Sequence, residues 1–383
     1  MGLRILPLPF NIVCSPKLLS QVNAWVGNLG GEKITIMSLK ITGKLPSGKL
    51  LKRLQQSPNY QKGAFQNLSI TPMKPEGVSY WKMTAGFFKK HPDTAPPVKL
   101  PFVKTNLKEL NLSEPVIVWF GHSSYFIRIE NKNFLIDPVF SGNAAPVSFM
   151  VKAFRGSNEY TADDMPDIDY LILTHDHYDH LDFKTIRRLK NKTGKVICSL
   201  GISSHLKHWG INENKITELD WWQSIKLEEN MQLTAAPARH FSGRGIKRGQ
   251  TLWSSFILKT AKHNLYLGGD SGYDTHFKEI GEKYGPFDIA ILESGQYNTM
   301  WPHIHMMPEE VVQAAVDLKA KALLPVHWGK FRLAMHAWNE PVKRILEKAK
   351  ELNVQVCTPM IGQPLILDGH FRGTDWWEML NKS

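Results

Sequence analysis

Residues 174–182 read Thr-His-Asp-His-Tyr-Asp-His-Leu-Asp, directly after the apolar run YLIL at 170–173. While a chain stays extended, side chains two apart share a face, so His175 and His177 can aim at one point just beyond that strand. Asp179 and His180 are adjacent and would normally diverge, which suits a turn that brings them to a second point nearby before a helix starts at about Asp182. Imidazole and carboxylate donors at this density suit zinc or a similar borderline metal. Without a cation the same side chains would repel one another and pack poorly.

Three more ligand-type residues occupy the same kind of place. His240 follows the run ending Ala236-Pro237-Ala238-Arg239, Asp270 follows the run 264–269, and His327 follows Leu323-Leu324-Pro325-Val326. All sit at the C-terminal ends of apolar strands, as His175 does. With the cluster they make seven candidates, enough for two metals that share one carboxylate. Asp270 is the natural bridge, because Gly268, Gly269 and Gly272 permit close approach of the backbone.

The elements that must position these residues are short. From about Val116 the runs VIVWF (116–120), SYFIRIE (124–130) and NFLID (133–137) predict an antiparallel meander. Further strands are predicted at 170–174, 195–199, 231–236, 254–260, 264–269, 288–293 and 321–326. Helices are predicted at 182–190, capped by Asp182 with Gly194 beyond its end, at 308–319 and at 340–352. Two halves of mixed strands and helices predict a two-sheet α/β sandwich, with a diverged duplication as one reading of the two halves.

The chain has 383 residues, 42% hydrophobic and 21% charged, which fits an ordinary globular protein and excludes a disordered chain. Cys14, Cys198 and Cys357 are too few for a disulfide framework and too far apart for a zinc ribbon, so a reducing compartment, or simple indifference to redox, is expected. No run reaches the roughly 18 apolar residues of a spanning helix. The start of the chain lacks a basic leader and a small-residue cleavage site, so a cytoplasmic protein is expected. The net charge of +12 lies wholly in residues 1–110, which hold 16 basic and 4 acidic residues against 31 of each in the remainder. We read 1–110 as a basic extension on or near the face of the ligand candidates and 111–383 as the domain that carries them. Its aromatic and basic residues, Trp25, Trp81, Phe87, Phe88, Lys89 and Lys90, suggest peripheral contact with anionic membrane; nucleic acid is the other polyanion, and a solvated extension is the plain alternative.

The HxHxDH signature and the later single His, Asp and His resemble the metallo-β-lactamase fold of binuclear metal hydrolases. Within it the sequence is most similar to N-acyl-phosphatidylethanolamine-hydrolysing phospholipase D and its bacterial relatives. The closer likeness rests on WFGHSS (119–124), the cluster with Tyr178 inside it, PARHFSGR (237–244), GDSGY (269–273), HMMPEE (305–310) and HWG (327–329). It implies a four-layer αββα sandwich and two zinc ions, or another divalent transition metal. His175, His177 and His240 would hold one metal, Asp179, His180 and His327 the other, and Asp270 would bridge them. Asp179 and Asp270 are also catalytic candidates. His305, chosen over His303 because it precedes Pro-Glu-Glu, would contact substrate phosphate, and Tyr178 is a further substrate-binding candidate. For His122, beside Ser123 and Ser124, a structural role and a catalytic one both stand.

The implied reaction is phosphodiester hydrolysis of a phospholipid, with hydroxide held between the metals attacking phosphorus. The alternatives are hydrolysis of a small soluble phosphorylated or lactone substrate, as in the related ascorbate-6-phosphate lactonase group, and then a nuclease, disfavoured because no RNA-binding domain is recognised. A non-catalytic protein would be expected to have lost ligands.

Overall fold

The structure is a computed structural model and describes residues 40–72, 93–110, 114–147, 150–368 and 373–381. The expectations placed on Cys14, Trp25, Trp81, Phe87, Phe88, Lys89 and Lys90 fall outside those residues.

In chain order the elements begin with α1 Gly48–Leu54 and a small hairpin, β1 Tyr60–Gln61 and β2 Ala64–Phe65. The predicted meander follows as β3 Val116–Trp119, β4 Tyr125–Ile129 and β5 Lys132–Ile136. Then come β6 Ile168–Leu173, α2 Phe183–Leu189, β7 Thr193–Ser199, α3 Ser203–His208 and β8 Ile216–Leu219. The second half contains β9 Ser224–Glu228, β10 Met231–Ala236, β11 Ser255–Lys259, β12 Asn264–Leu267, α4 His276–Tyr284, β13 Ile289–Glu293 and α5 Pro308–Asp317. It closes with β14 Ala322–Val326, α6 Glu340–Leu352 and β15 Gln355–Val356, after which β16 Pro364–Ile366 returns to the first sheet.

The strands form two seven-stranded sheets, ordered β16-β3-β4-β5-β6-β7-β8 and β15-β14-β13-β12-β11-β10-β9. Each sheet is antiparallel along one side and parallel along the other, the change falling at β5/β6 and at β12/β13. This shared plan gives the two halves the same topology. Period-two alternation sorts the side chains into layers. Tyr125, Ile127 and Ile129 of β4 meet Leu233 and Ala235 of β10 between the sheets, while Phe126 packs outward with residues of α2 and α3. Ala290 and Leu292 of β13 pack outward with residues of α4, α5 and α6. The result is a helix, sheet, sheet, helix sandwich.

Gly194 lies beyond the end of α2, as expected, and falls inside β7, where an added Cβ would stand 2.9 Å from the Asp169 carbonyl. The described parts of the first 110 residues have no separate core. Leu54 and Phe65 cluster with Leu200, Trp221, Leu252 and Trp253, and Leu100 joins the cluster between the sheets. No helix among the described residues is long and apolar enough to cross a membrane.

Candidate metal centre

Strands β6, β10, β12 and β14 all end at one edge of the sandwich, and each is followed by a polar residue with a buried side chain. After β6 the chain turns back on itself: the His180 and Leu181 N–H groups donate to the His177 carbonyl at 3.1 and 2.8 Å, and Asp182 then caps α2. Asp176 points away from the centre. Its carboxylate accepts from Gly243 N–H at 2.7 Å and lies 3.3 Å from His205 Nε2. The buried Arg244 locks this turn by donating to the Asp176 and Leu181 carbonyls. Tyr178 donates its hydroxyl to the Arg244 carbonyl at 2.7 Å, and the Arg244 guanidinium lies 4.0 Å over its ring.

Two sets of ligand-type atoms result, joined by Asp270. In the first, His175, His177, His240 and Asp270 offer atoms within 4.8 Å of one another. His175 Nε2 and His240 Nε2 lie 3.0 and 3.2 Å from His177 Nδ1. Donors held at zinc–nitrogen distances in a tetrahedron are separated by about 3.3 Å, so this spacing suits one ion. The far ring nitrogens fix the tautomers. His240 Nδ1 must donate to the Ile304 carbonyl, 2.8 Å away. Thr174 Oγ1 donates to Asp137 at 2.5 Å and so accepts from His175 Nδ1 at 3.0 Å. Both Nε2 lone pairs therefore face inward.

The second set is Asp179, His180 and His327, with His122 beside them. His180 Nδ1 donates to Asp137 Oδ2 at 2.8 Å, which turns its Nε2 toward Asp270 Oδ1, 3.2 Å away, and Asp179 Oδ2, 3.7 Å away. Asp270 Oδ1 is also 3.1 Å from His327 Nδ1, while its Oδ2 faces His175 and His240 at 3.8 and 3.7 Å. One carboxylate thus faces both sets. The glycines around it are needed for this approach, since a Cβ on Gly269 would meet the Ser254 carbonyl at 2.8 Å and one on Gly272 would clash with the His303 carbonyl.

The electrostatics fit cations. Burial holds His175, His240 and His327 well below the usual histidine range and lowers His177 to about 4, so these rings are neutral donors at pH 7. Burial opposes charge on His180 too, but Asp270, Asp179 and Asp137 together hold it well above its ordinary value. Burial raises Asp270 to about 6. No lysine or arginine among the described residues pairs with Asp137, Asp179 or Asp270, whose ion-pair partners are all histidines. His180 Nε2, His327 Nε2 and Asp270 Oδ1 are buried with no hydrogen-bond partner among the described residues. His180 alone cannot balance the three buried carboxylates that face it, and buried charge left unpaired is strongly destabilising; two divalent ions between the sets would neutralise it and occupy the open donors.

His305 joins Asp270 and His327 in a third group; its ring stands 5.1 Å from that of His240 and 5.3 Å from that of His327. His303, two residues earlier, belongs to none of these groups. His122 takes up a place that its sequence context left open. At φ 53° it turns the loop after β3 and donates from Nε2 to Asp179 Oδ2 at 2.9 Å, and its ring lies tilted by 37° to that of His327 with the centroids 3.9 Å apart.

Four supporting residues were not singled out from the sequence. Asp137 joins His180 to Thr174; its position at the C-terminal end of β5, matching the other strand-end ligands, was the available signal. Glu293, also at a strand end, accepts from Met306 N–H at 2.7 Å and lies 3.6 Å from His305 Nδ1. Burial raises its pKa well above the carboxylate range. Asn67 and His205 act through contacts more than 25 residues away, for which the sequence offers no local signal.

Residues 132–328 match the family described as Beta-lactamase superfamily domain. An uncharacterized protein of Mycobacterium tuberculosis is 38% identical over 334 residues, covering 85% of this chain and 88% of that relative. N-acyl-phosphatidylethanolamine-hydrolyzing phospholipase D 1 of Caenorhabditis elegans is 30% identical over 250 residues, covering 61% of this chain and 70% of the worm protein. Among solved structures, Igni18, a metallo hydrolase from the archaeon Ignicoccus hospitalis, shares the fold with a TM-score of 0.52 at 18% identity, covering 66% of this chain and 97% of Igni18.

Proposed function

Because the chain belongs to the beta-lactamase superfamily of metal-dependent hydrolases, we propose that it is a zinc-dependent phosphodiesterase of phospholipase D type, acting on N-acyl-phosphatidylethanolamine or a related phospholipid. The observation that carries this reading is the pair of ligand sets sharing Asp270, with His305 beside them. His175, His177 and His240 would hold one cation, Asp179, His180 and His327 the other, and Asp270 both. When bound, the cations supply Lewis acidity at a phosphoryl oxygen and acidify water so that it ionises near pH 7.

The protein's own groups do the rest. His305, 12% exposed in its side chain, would donate to a phosphoryl oxygen, with Glu293 Oε2 3.6 Å from its Nδ1. His122 steadies Asp179 through their 2.9 Å hydrogen bond. Phe241, Met300, Trp301, Ile304 and Met335 form an apolar cluster beside the first set, with the Phe241 ring 4.6 Å from that of His177, which limits water and suits an acyl substituent.

Two further observations support a lipid substrate. The likeness to the C. elegans phospholipase covers 61% of this chain. In addition, Leu68, Ile70 and Ile246 are 57, 92 and 65% exposed, on segments that adjoin the His240 turn. Residues 40–72 carry six basic residues and no acidic one, and Lys247 and Arg248 follow Ile246. Exposed apolar side chains among bases match an anionic bilayer surface, and peripheral membrane contact is part of the proposal.

The test is hydrolysis of N-acyl-phosphatidylethanolamine by zinc-loaded protein in ¹⁸O-water. Attack of water on phosphorus breaks the bond to the ethanolamine oxygen, so the label is expected in phosphatidic acid and absent from the N-acylethanolamine. Label in the N-acylethanolamine, or turnover of a soluble lactone or of RNA with none of the phospholipid, overturns the reading.

A further inference from the structure

We propose that Asn67 is a positioning residue of the metal centre, holding the backbone of His240 from a segment that lies outside the matched family domain. The proposal rests on the reading of His175, His177, His240 and Asp270 as a cation site. β10 ends at Ala236, so the sheet ladder does not reach His240. Its backbone is satisfied by one side chain instead: His240 N–H donates to Asn67 Oδ1 at 3.0 Å, and Asn67 Nδ2 donates to the His240 carbonyl at 2.8 Å. The amide does here what a neighbouring strand does elsewhere. Trp253 Nε1 also donates to Asn67 Oδ1 at 3.0 Å, which orients the amide.

The segment carrying Asn67 is itself anchored on both sides. Phe65 packs in the cluster with Leu54, Trp221 and Trp253. Arg239 donates to Thr71 Oγ1 at 3.0 Å and to the Ile70 carbonyl at 2.9 Å. With Nδ1 bound to Ile304, the ring of His240 is fixed at one end and its backbone at the other, so Nε2 has little freedom. Removing the amide leaves two polar groups of a buried residue without partners, a loss the turn can relieve only by moving. His175 and His177 follow β6, a different strand end from the His240 turn whose backbone Asn67 holds, so the movement would fall on one ligand of one set.

The experiment compares wild type, Asn67→Ala, Asn67→Ser and Leu54→Ala. Affinity for each of two zinc ions is measured by chelator competition, and the visible spectrum of the cobalt-substituted protein is recorded. Loss of a supporting contact typically weakens metal binding about 10–100-fold. We expect that loss for the ion of the histidine-rich set in Asn67→Ala, a smaller loss of the same kind in Asn67→Ser, and a shifted cobalt spectrum in both. Leu54→Ala, which loosens the same segment without touching His240, should lower the melting temperature and leave both affinities and the spectrum unchanged. Wild-type affinity and spectrum in Asn67→Ala and Asn67→Ser overturn the role of Asn67, as does an equal loss in Leu54→Ala. Should Asn67→Ala fail to fold, Asn67→Ser alone decides. Wild-type protein that binds fewer than two ions would instead overturn the centre on which the proposal stands.

Discussion

Asp137→Asn separates charge from shape at the residue that joins the two ligand sets. In the native protein Asp137 Oδ2 accepts from His180 Nδ1 at 2.8 Å and from Thr174 Oγ1 at 2.5 Å, and Oδ1 accepts from Thr174 N–H at 2.9 Å. Asparagine has only one acceptor oxygen. In either orientation at least one of these donors meets an NH₂ group, and the negative charge that makes His180 a better ligand is gone. The backbone is not at issue: Asp137 has φ 41°, a region that asparagine tolerates. The expected loss is about 10–100-fold in metal affinity, equivalent to about 1.4–2.7 kcal/mol. It should be greater for the ion held by His180 than for the one held by His175, which Asp137 reaches only through Thr174. The assay is chelator competition on the folded variant, with activity recovering as free zinc is raised. Two ions bound with native affinity would refute the reasoning, and so would an activity loss that excess zinc does not relieve.

Asp270→Asn should release at least one metal by elemental analysis and abolish turnover, because the shared charge that offsets repulsion between two dications is lost. His305→Ala should keep both metals and lower kcat about 10²–10³-fold, the usual effect of removing one donor to a developing anion; an unchanged kcat on phospholipid would make His305 structural. Lys330 is buried, donates to the Val139 and Phe120 carbonyls, and burial lowers its pKa to about 7. The unfolded chain keeps that proton to about pH 10.4 and so binds more protons between those values; this residue makes stability rise with pH there, by up to about 1.4 kcal/mol per unit. Urea denaturation at pH 7 and 9 should show a smaller rise in Lys330→Met than in wild type, and an equal rise would contradict this. Liposome sedimentation should show binding to anionic vesicles that weakens with salt and with Ile70→Ser, whereas equal binding to neutral vesicles would remove the membrane contact.

The chemistry was legible because it is local. His175 to His180 sit on one turn, and His240, Asp270 and His327 share a sequence context, an apolar strand followed at once by a ligand. The strands of the core were legible for the same reason, since β6, β13 and β14 are buried over nearly their whole length and read as apolar runs. The weaker elements were not. β8 and β9 carry alternating polar residues at a sheet edge, β15 and β16 have two and three residues, α3 has no side-chain cap, and α4 carries a glycine, Gly281, in its interior. The supporting contacts were hidden by distance: Asn67 meets His240 across 173 residues, and Asp137 meets His180 across 43. Tyr178 shows the opposite case, a residue inside the signature whose hydroxyl is taken up by Arg244.

Elemental analysis of the purified protein after zinc supplementation tests the central claim most directly, because both ligand sets and the shared Asp270 bear on a single number. Two zinc ions per chain, falling to one or none in Asp270→Asn, is the result this arrangement predicts. One ion or fewer per chain in the native protein would contradict it.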